Sequence, residues 1–289
     1  ESNGIQLVSH RFEKEKQILE IKFKKAKYKI YLNLIGKIQV KNILMAIIAA
    51  NNSGIEFKKI LKILPRITSV EGRLEKIGKI HNNSKVILDY AHTPAALESA
   101  LSNLKEQFPF NKINLIFGCG GDRDFKKRSL MGKIAEKYSN EIYLTDDNPR
   151  NEKPFEIRNE IKKGIKNKKI YEIPDRKKAI QEAVKNLKTG DILLVAGKGH
   201  EKIQDYGKKR TFFSDQKVIL SSIRAKNKFL SKNIKLNIIQ EQSKLNLSNK
   251  IQIKDASINS KLIKKNDIFF AIKGKNLDGN NYISEAIKK

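Results

Sequence analysis

At 289 residues the chain is long enough for two or three compact units, each with its own core. Its hydrophobic content of 39% is broken everywhere by charge, so no run approaches the roughly 20 apolar residues of a membrane span. The excess of 60 Lys+Arg over 31 Asp+Glu gives a net charge of +29, the usual footprint of nucleic-acid binding. Lysine, isoleucine and asparagine recur along the whole chain, however, with no zinc finger, RRM signature or Arg-rich tract. Patterning rather than total charge marks a specific nucleic-acid site, so the expectation is a solvated basic surface and no specific nucleic-acid partner. A noncatalytic basic binding module, for nucleic acid or a small anion, is the alternative reading. The single cysteine, Cys119, excludes an internal disulfide, and the four histidines do not join it at zinc-ligand spacing. The opening ESNGIQLVSHRF has no basic start followed by an apolar stretch, so no secretory signal or membrane insertion is expected and a cytoplasmic address is the default.

From Ile5 to about Leu34 short apolar runs alternate with polar residues, which predicts strands of a small sheet. Asn42 to Ala50 reads as a buried helix and Phe57 to Leu64 as a second one, stopped by Pro65. Thr68 to Lys79 shows no strong period and reads as a connection. Between Lys85 and Ala196 the apolar segments KVILD, INLIF, EIYLT, KIYEI and DILLVA alternate with amphipathic stretches, the signature of an α/β unit with a mainly parallel sheet. Helices are predicted over Pro94–Glu106, Lys127–Tyr138, Pro154–Ile165 and Asp175–Leu187, with Asp175 as N-cap. Beyond Asp215 the regularity stops, and Ala225 to Lys250 reads as a polar linker. The tail then resumes a strand-and-turn pattern and ends in a helix.

The unusual residues fall in the loops after the strands: DYAHTP, GCGGDRD, TDDNPR and GKGHE. In open α/β sheets ligands bind outside the carboxyl ends of the strands, so these four loops should converge on one crevice. Consecutive glycines followed by Arg123, Lys126, Lys127 and Arg128 suit an anion, or simply a tight turn. Asp146 to Arg150 places two carboxylates, an amide and a guanidinium in one turn. Such a set can hold a zwitterion, with Arg gripping a carboxylate while Asp and Asn accept from an ammonium group; Pro149 could equally stiffen an Asx turn.

Taken in order, VEGRLE, ILDYAHTPAALESAL, FGCGGDRDFKKRSLMGKIAE, TDDNPRNEKP, IPDRKKAI and GDILLVAGKGHEKIQ resemble the run of motifs in Mur ligases of the MurE type, over about Gly36 to Asp215. GKIQVKNILMAIIAA resembles the family's Gly-x-x-Asn-x-x-Asn helix start, with Gln39 replacing the first Asn and Asn42 keeping the second. INSKLIKKNDIFFAIKGKNLDGNNYI resembles the opening of the N-terminal domain of MurE and MurF, as in a MurE–MurF fusion, with NSK where the family has a DSR-like stretch. The resemblance implies four parts: residues 1–75 as the end of an α/β ATP-binding central domain, 76–225 as a Rossmann-like C-terminal ligase domain, 226–250 as a linker, and 251–289 as the start of a second, MurF-like α/β domain.

It also implies an ATP-dependent amide-bond ligase of peptidoglycan precursor synthesis. ATP phosphorylates the D-glutamate carboxylate of UDP-MurNAc-L-Ala-D-Glu, and the amine of the incoming amino acid attacks the acyl phosphate. Asn42, Arg73 and Asp89 would touch adenosine or phosphates; Arg123, Asp147, Asn148, Pro149, Arg150, Gly197 and Glu201 would hold the amino acid. The family form with DNPR uses meso-diaminopimelate. His92, Lys198 and His200 receive no role. No G-x-x-x-x-G-K-[ST] loop occurs among the 289 residues. The phosphate loop and Mg²⁺ ligands are therefore expected before Glu1, no catalytic residue or metal ligand is assigned here, and the isolated chain is expected to be inactive as a ligase.

Overall fold

The computed structural model describes residues 4–13, 15–232, 256–265, 267–274 and 277–288. The chain divides into two compact units, Glu1–Ile223 and Arg224–Lys289.

The first unit opens with an antiparallel meander of β1 (Ile5–Glu13), β2 (Lys16–Phe23) and β3 (Ala26–Leu32). Alternation puts Leu19, Ile21, Ile30 and Leu32 on one face, where they pack with Val40, Ile43 and Ile47 of α1 (Ile38–Asn52) and Phe57 of α2 (Phe57–Ile63). Helix α1 begins at Ile38, ahead of the Asn42 expected from the pattern. No local side chain caps it, but Asn103 Oδ1 accepts the Ile38 amide at 3.1 Å, satisfying an N-terminal N–H from a distant helix. A sequence window cannot show such a partner.

The second sheet has the order β4-β5-β9-β6-β7-β8, from β4 (Glu75–Lys76), β5 (Lys85–Asp89), β6 (Ile113–Phe117), β7 (Glu141–Leu144), β8 (Ile170–Glu172) and β9 (Ile192–Ala196). All neighbours are parallel except β4, an antiparallel edge within the stretch read as a connection. Two residues are too few to show a period. Every residue of β6 and β9 is buried, which is why both read as continuous apolar runs. The connecting helices are α3 (Pro94–Gln107), α4 (Lys126–Tyr138), α5 (Pro154–Lys162) and α6 (Arg176–Asn186). Thr93 caps α3 through the Ala96 amide, and Asp175 caps α6 through the Lys178 amide. Helix α5 stops three residues before the expected Ile165, where the Gly164 backbone lies so close to the Ser129 carbonyl of α4 that a Cβ would overlap it.

A short hairpin, β10 (Ile203–Asp205) with β11 (Arg210–Phe212), follows and was not legible as strands. Next comes α7 (Asp215–Lys232), which corrects the expectation that regularity stops at Asp215 and a linker begins at Ala225. Ile219 and Ile223, one turn apart, are buried, and Asp215 is locked to Arg176, so tertiary contacts support a helix whose polar surface masked its period. Residues 233–250 of the expected linker lie outside the described residues.

The second unit contains parallel β12 (Ala256–Ser257) and β13 (Ile268–Phe269), a 3₁₀ turn over Gly279–Tyr282 and the short α8 (Ile283–Ile287). Ser260 Oγ donates to Glu285 Oε2 at 2.9 Å, tying the start of this unit to α8.

Candidate functional site

Because β9 lies between β5 and β6, the chain runs outward through β6, β7 and β8 and then returns to the middle of the sheet. This brings the loops after β5, β6, β7 and β9 to one end, at the point where strand order reverses. The loops after β6 and β7 touch backbone to backbone: the Gly121 amide donates to Asn148 O at 2.9 Å, and a Cβ on Gly118 or Gly121 would overlap the carbonyl of Thr145 or Pro149. These two glycines serve loop-to-loop contact, the structural alternative to presenting amides to an anion.

Around this junction the polar side chains interlock. Asn148 Oδ1 accepts from Lys198 Nζ and from the Asp205 amide, each at 3.0 Å, while Asn148 Nδ2 donates to Glu201 Oε2 at 3.0 Å. Lys198 Nζ also donates to Glu201 Oε2 at 3.2 Å and to Ile203 O at 2.6 Å. Tyr90 Oη donates to Glu201 Oε1 at 3.3 Å. Burial pushes the Glu201 carboxyl up, but Lys198, Asn148 and Tyr90 outweigh it and hold the group below the usual range.

Asp147 is 9% exposed, and its Oδ2 has no hydrogen-bond partner among the described residues. Burial raises its pKa, opposed by the charges of Arg176 and Lys198. Gly197 has φ +112°, and a Cβ there would stand 2.6 Å from Asp147 Oδ2. A glycine is required to admit this carboxylate.

Arg150 adopts φ +51°, uncommon for a side chain of this size, and its amide donates to Asp205 O at 3.0 Å. Its Nη1 donates to Gly121 O at 2.7 Å, which holds one end of the guanidinium against the loop after β6. Arg150, Asp147, Asn148, Gly197 and Glu201 line a cavity of about 550 Å³, with exposed Arg123 on the wall formed by the loop after β6. Six of the seven expected amino-acid residues thus line one cavity. Buried Pro149 instead abuts Gly121 and does not line the cavity. A second cavity of about 430 Å³ opens between Asn148, Arg150 and the β10–β11 hairpin, bordered by Arg210 and Lys202.

The residues expected on the nucleotide side are linked differently. Exposed Asn42 donates to Gln39 Oε1 at 3.2 Å, and Gln39 Nε2 donates to Arg73 O at 3.3 Å, so the residue that departs from the family pattern bridges two that keep it. The Arg73 guanidinium lies 5.0 Å over the Tyr90 ring. Asp89 accepts the Leu74 amide on Oδ2 and the Ala91 amide on Oδ1, both at 2.8 Å, and burial raises its pKa. Both its oxygens therefore hold the chain around β5. Among the described residues no His/Cys/Asp/Glu group could hold a metal ion, and no helix is long and apolar enough to cross a membrane.

Sequence reasoning missed several residues beneath the site. Fully buried Arg176 pairs with Asp215 through two hydrogen bonds of 2.8 and 2.7 Å and donates to Ala196 O at 2.9 Å. Asp146, which the sequence reading counted among the zwitterion-holding groups of its turn, is instead buried, pairs with Arg158 and accepts from Tyr206 Oη at 3.2 Å, while Gln204, missed as well, donates from Nε2 to Asp147 O at 3.0 Å. Lys198 stood in the GKGHE motif, and its burial was the signal that sequence could not supply. His92 lines the 550 Å³ cavity, with Nδ1 2.9 Å from Tyr90 O, and His200 packs near the Tyr90 ring.

A Rossmann-like parallel sheet with polar loops converging at its switch point defines an α/β ligand-binding domain. Residues 72–199 match the family model for the Mur ligase, glutamate ligase domain, and the chain belongs to the Mur ligase family. It is 45% identical over 199 residues to the UDP-N-acetylmuramoyl-L-alanyl-D-glutamate--2,6-diaminopimelate ligase of Rickettsia felis, covering 68% of this chain and 37% of that protein. It is 48% identical over 195 residues to the ligase of the same name from Buchnera aphidicola subsp. Baizongia pistaciae, covering 67% of this chain and 38% of that protein. A solved structure of a ligase of that name superimposes with a TM-score of 0.61 at 33% identity, over 76% of this chain and 45% of the other. The chain thus spans about two fifths of the length of these curated relatives.

Proposed function

We propose that this chain forms the amino-acid side of an ATP-dependent acid–amino-acid ligase that joins meso-diaminopimelate to UDP-MurNAc-L-Ala-D-Glu in peptidoglycan precursor synthesis, in the cytoplasm. The observation that carries the reading is the 550 Å³ cavity whose wall offers both signs of charge: Arg123 and Arg150 toward a carboxylate, Asp147 and Glu201 toward an ammonium group. A diaminopimelate has a carboxylate beside its distal ammonium where lysine has none, so a lining of this kind favours it. Family membership and the diaminopimelate-ligase names of the relatives favour an enzyme over a noncatalytic basic module.

In this reading residues 1–75 end a central ATP-binding domain, and the C-terminal ligase domain runs from 76 to about 225, with α7 continuing to Lys232. The residues from 251 open a MurF-like domain. Asn42 and Arg73 would meet the adenosine or phosphates, while Asp89 would act there mainly through the backbone it holds. ATP with Mg²⁺ would supply the acyl phosphate, its phosphate loop and metal ligands lying outside these 289 residues. The residues present would hold the amino acid so that its amine faces that acyl group, a gain in orientation rather than in bond chemistry.

The test is calorimetric titration of the chain with meso-diaminopimelate and with L-lysine. Tighter binding of diaminopimelate is expected; equal affinity, or preference for lysine, would rule the assignment out.

A further inference from the structure

We propose that Lys198 is a positioning residue, whose buried ammonium fixes the Asn148 amide so that Asn148 presents a donor, and not an acceptor, to the bound amino acid. The inference rests on the reading of the cavity as an amino-acid site. It assigns a role to the one fully buried lysine among the described residues, which neither the motif nor the spacing explained.

The argument is one of donors and acceptors. An ammonium group and a backbone N–H can only donate, and a carboxylate can only accept. Asn148 Oδ1 sits 3.0 Å from Lys198 Nζ and 3.0 Å from the Asp205 amide, and Nδ2 sits 3.0 Å from Glu201 Oε2. Flipping the amide would set its two N–H groups against two donors, one of them cationic, and its oxygen against a carboxylate. No partner in this set tolerates both orientations. Lys198 is itself held by three acceptors, Asn148 Oδ1, Glu201 Oε2 and Ile203 O, which match its three N–H bonds. At 0% exposure it has no water with which to trade them.

The consequence for recognition follows from what is left over. The oxygen of Asn148 already has two donors, while Nδ2 has one N–H beyond that given to Glu201, and Asn148 lines the 550 Å³ cavity. A ligand carboxylate therefore fits beside Asn148, within reach of Arg150. The ammonium fits beside the carboxylates of Asp147 and Glu201, which line the same cavity. The sequence alone had Asn148 accepting from an ammonium group; Lys198 reverses that polarity. Lysine as ligand lacks the distal carboxylate, so the Lys198–Asn148 pair contributes to choice between amino acids rather than to general affinity.

Two variants and one spectroscopic measurement test this. In Lys198→Met the preference for meso-diaminopimelate over L-lysine, read by calorimetry, should narrow by about 10- to 100-fold, mainly through weaker diaminopimelate binding, as befits a lost hydrogen bond to a charged group. An unchanged preference overturns the proposal. Asn148→Asp keeps both donors to Oδ1 but replaces the N–H donor with an oxygen, so it should narrow the preference in the same way even if Lys198→Met fails to fold. Retained or tighter diaminopimelate binding in Asn148→Asp would mean that Asn148 accepts from the ammonium, and overturns it as well. In ¹⁵N spectra without ligand, the Asn148 side-chain amide should exchange slowly in the wild type and faster, with a shifted resonance, in Lys198→Met. An unmoved resonance refutes the positioning role whatever the ligand. A moved resonance in a chain whose wild type binds no diaminopimelate supports the positioning and sinks only the functional reading beneath it.

Discussion

The two sides of the site, both within the first unit, are built on different principles. On the side proposed for the amino acid, Asn148 of the loop after β7 cross-links to Lys198 and Glu201 of the loop after β9, 50 and 53 residues further along the chain, above the buried Arg176–Asp215 pair. On the side proposed for the nucleotide, Asn42 and Arg73 are exposed and linked through Gln39, while Asp89 is occupied by backbone amides. The first side is held by its own hydrogen bonds; the second leaves Asn42 and Arg73 at the surface. Preorganisation of this kind is where a site gains selectivity, since a rigid polar lining penalises a ligand that leaves it unpaired.

The contrast can be broken most severely from below. Arg176→Ala should destabilise the first unit by about 3–5 kcal/mol in urea unfolding, because it leaves Asp215 buried and unpaired. A loss under about 1 kcal/mol would mean that the charges under the amino-acid side are not structural. Arg150→Ala should weaken meso-diaminopimelate binding by about 2–5 kcal/mol in calorimetry, by leaving a ligand carboxylate unpaired, with adenine-nucleotide binding little changed. Equal weakening of both ligands would merge the two sides into one.

Asp147 gives a sharper, pH-dependent test. Burial raises its folded-state pKa, so the folded chain binds this proton more tightly than the unfolded chain does. Its contribution to stability is therefore greatest below the unfolded value of about 4 and is lost as pH rises through the folded value. Asp147→Asn should remove that penalty, raising stability at pH 7 and leaving it unchanged at pH 3, while amino-acid binding falls. Urea midpoints at the two pH values check it, and a variant less stable than wild type by the same margin at both would contradict it. The smallest effect is expected from Arg73→Ala, which removes one exposed cation–π contact and should cost about 0.5–1 kcal/mol in the same assay, with diaminopimelate affinity unchanged.

Much of the fold was written in local pattern. The runs KVILD, INLIF and DILLVA are continuous because their strands are buried on both faces, and Thr93–Pro94 and Asp175 mark their helix starts by side-chain chemistry that needs no distant partner. The loops at the strand ends were likewise legible, because polar and glycine residues stand out between apolar runs. Where the determinant lay far away, the reading fell short. The start of α1 depends on Asn103, the end of α5 on the Ser129 carbonyl, and α7 on Asp215 meeting Arg176, 39 residues upstream.

The same division runs through the site. The residue types, and the four loops that carry them, follow from the sequence alone, and so does the charge balance suited to a zwitterion. Which groups line the cavity, and which are tied up in other contacts, was decided by the tertiary structure. Gly197 makes room for Asp147, Asp89 holds the backbone, and Lys198 turns the Asn148 amide, because hydrogen-bond direction depends on every neighbour within about 3 Å and those neighbours are supplied by distant segments.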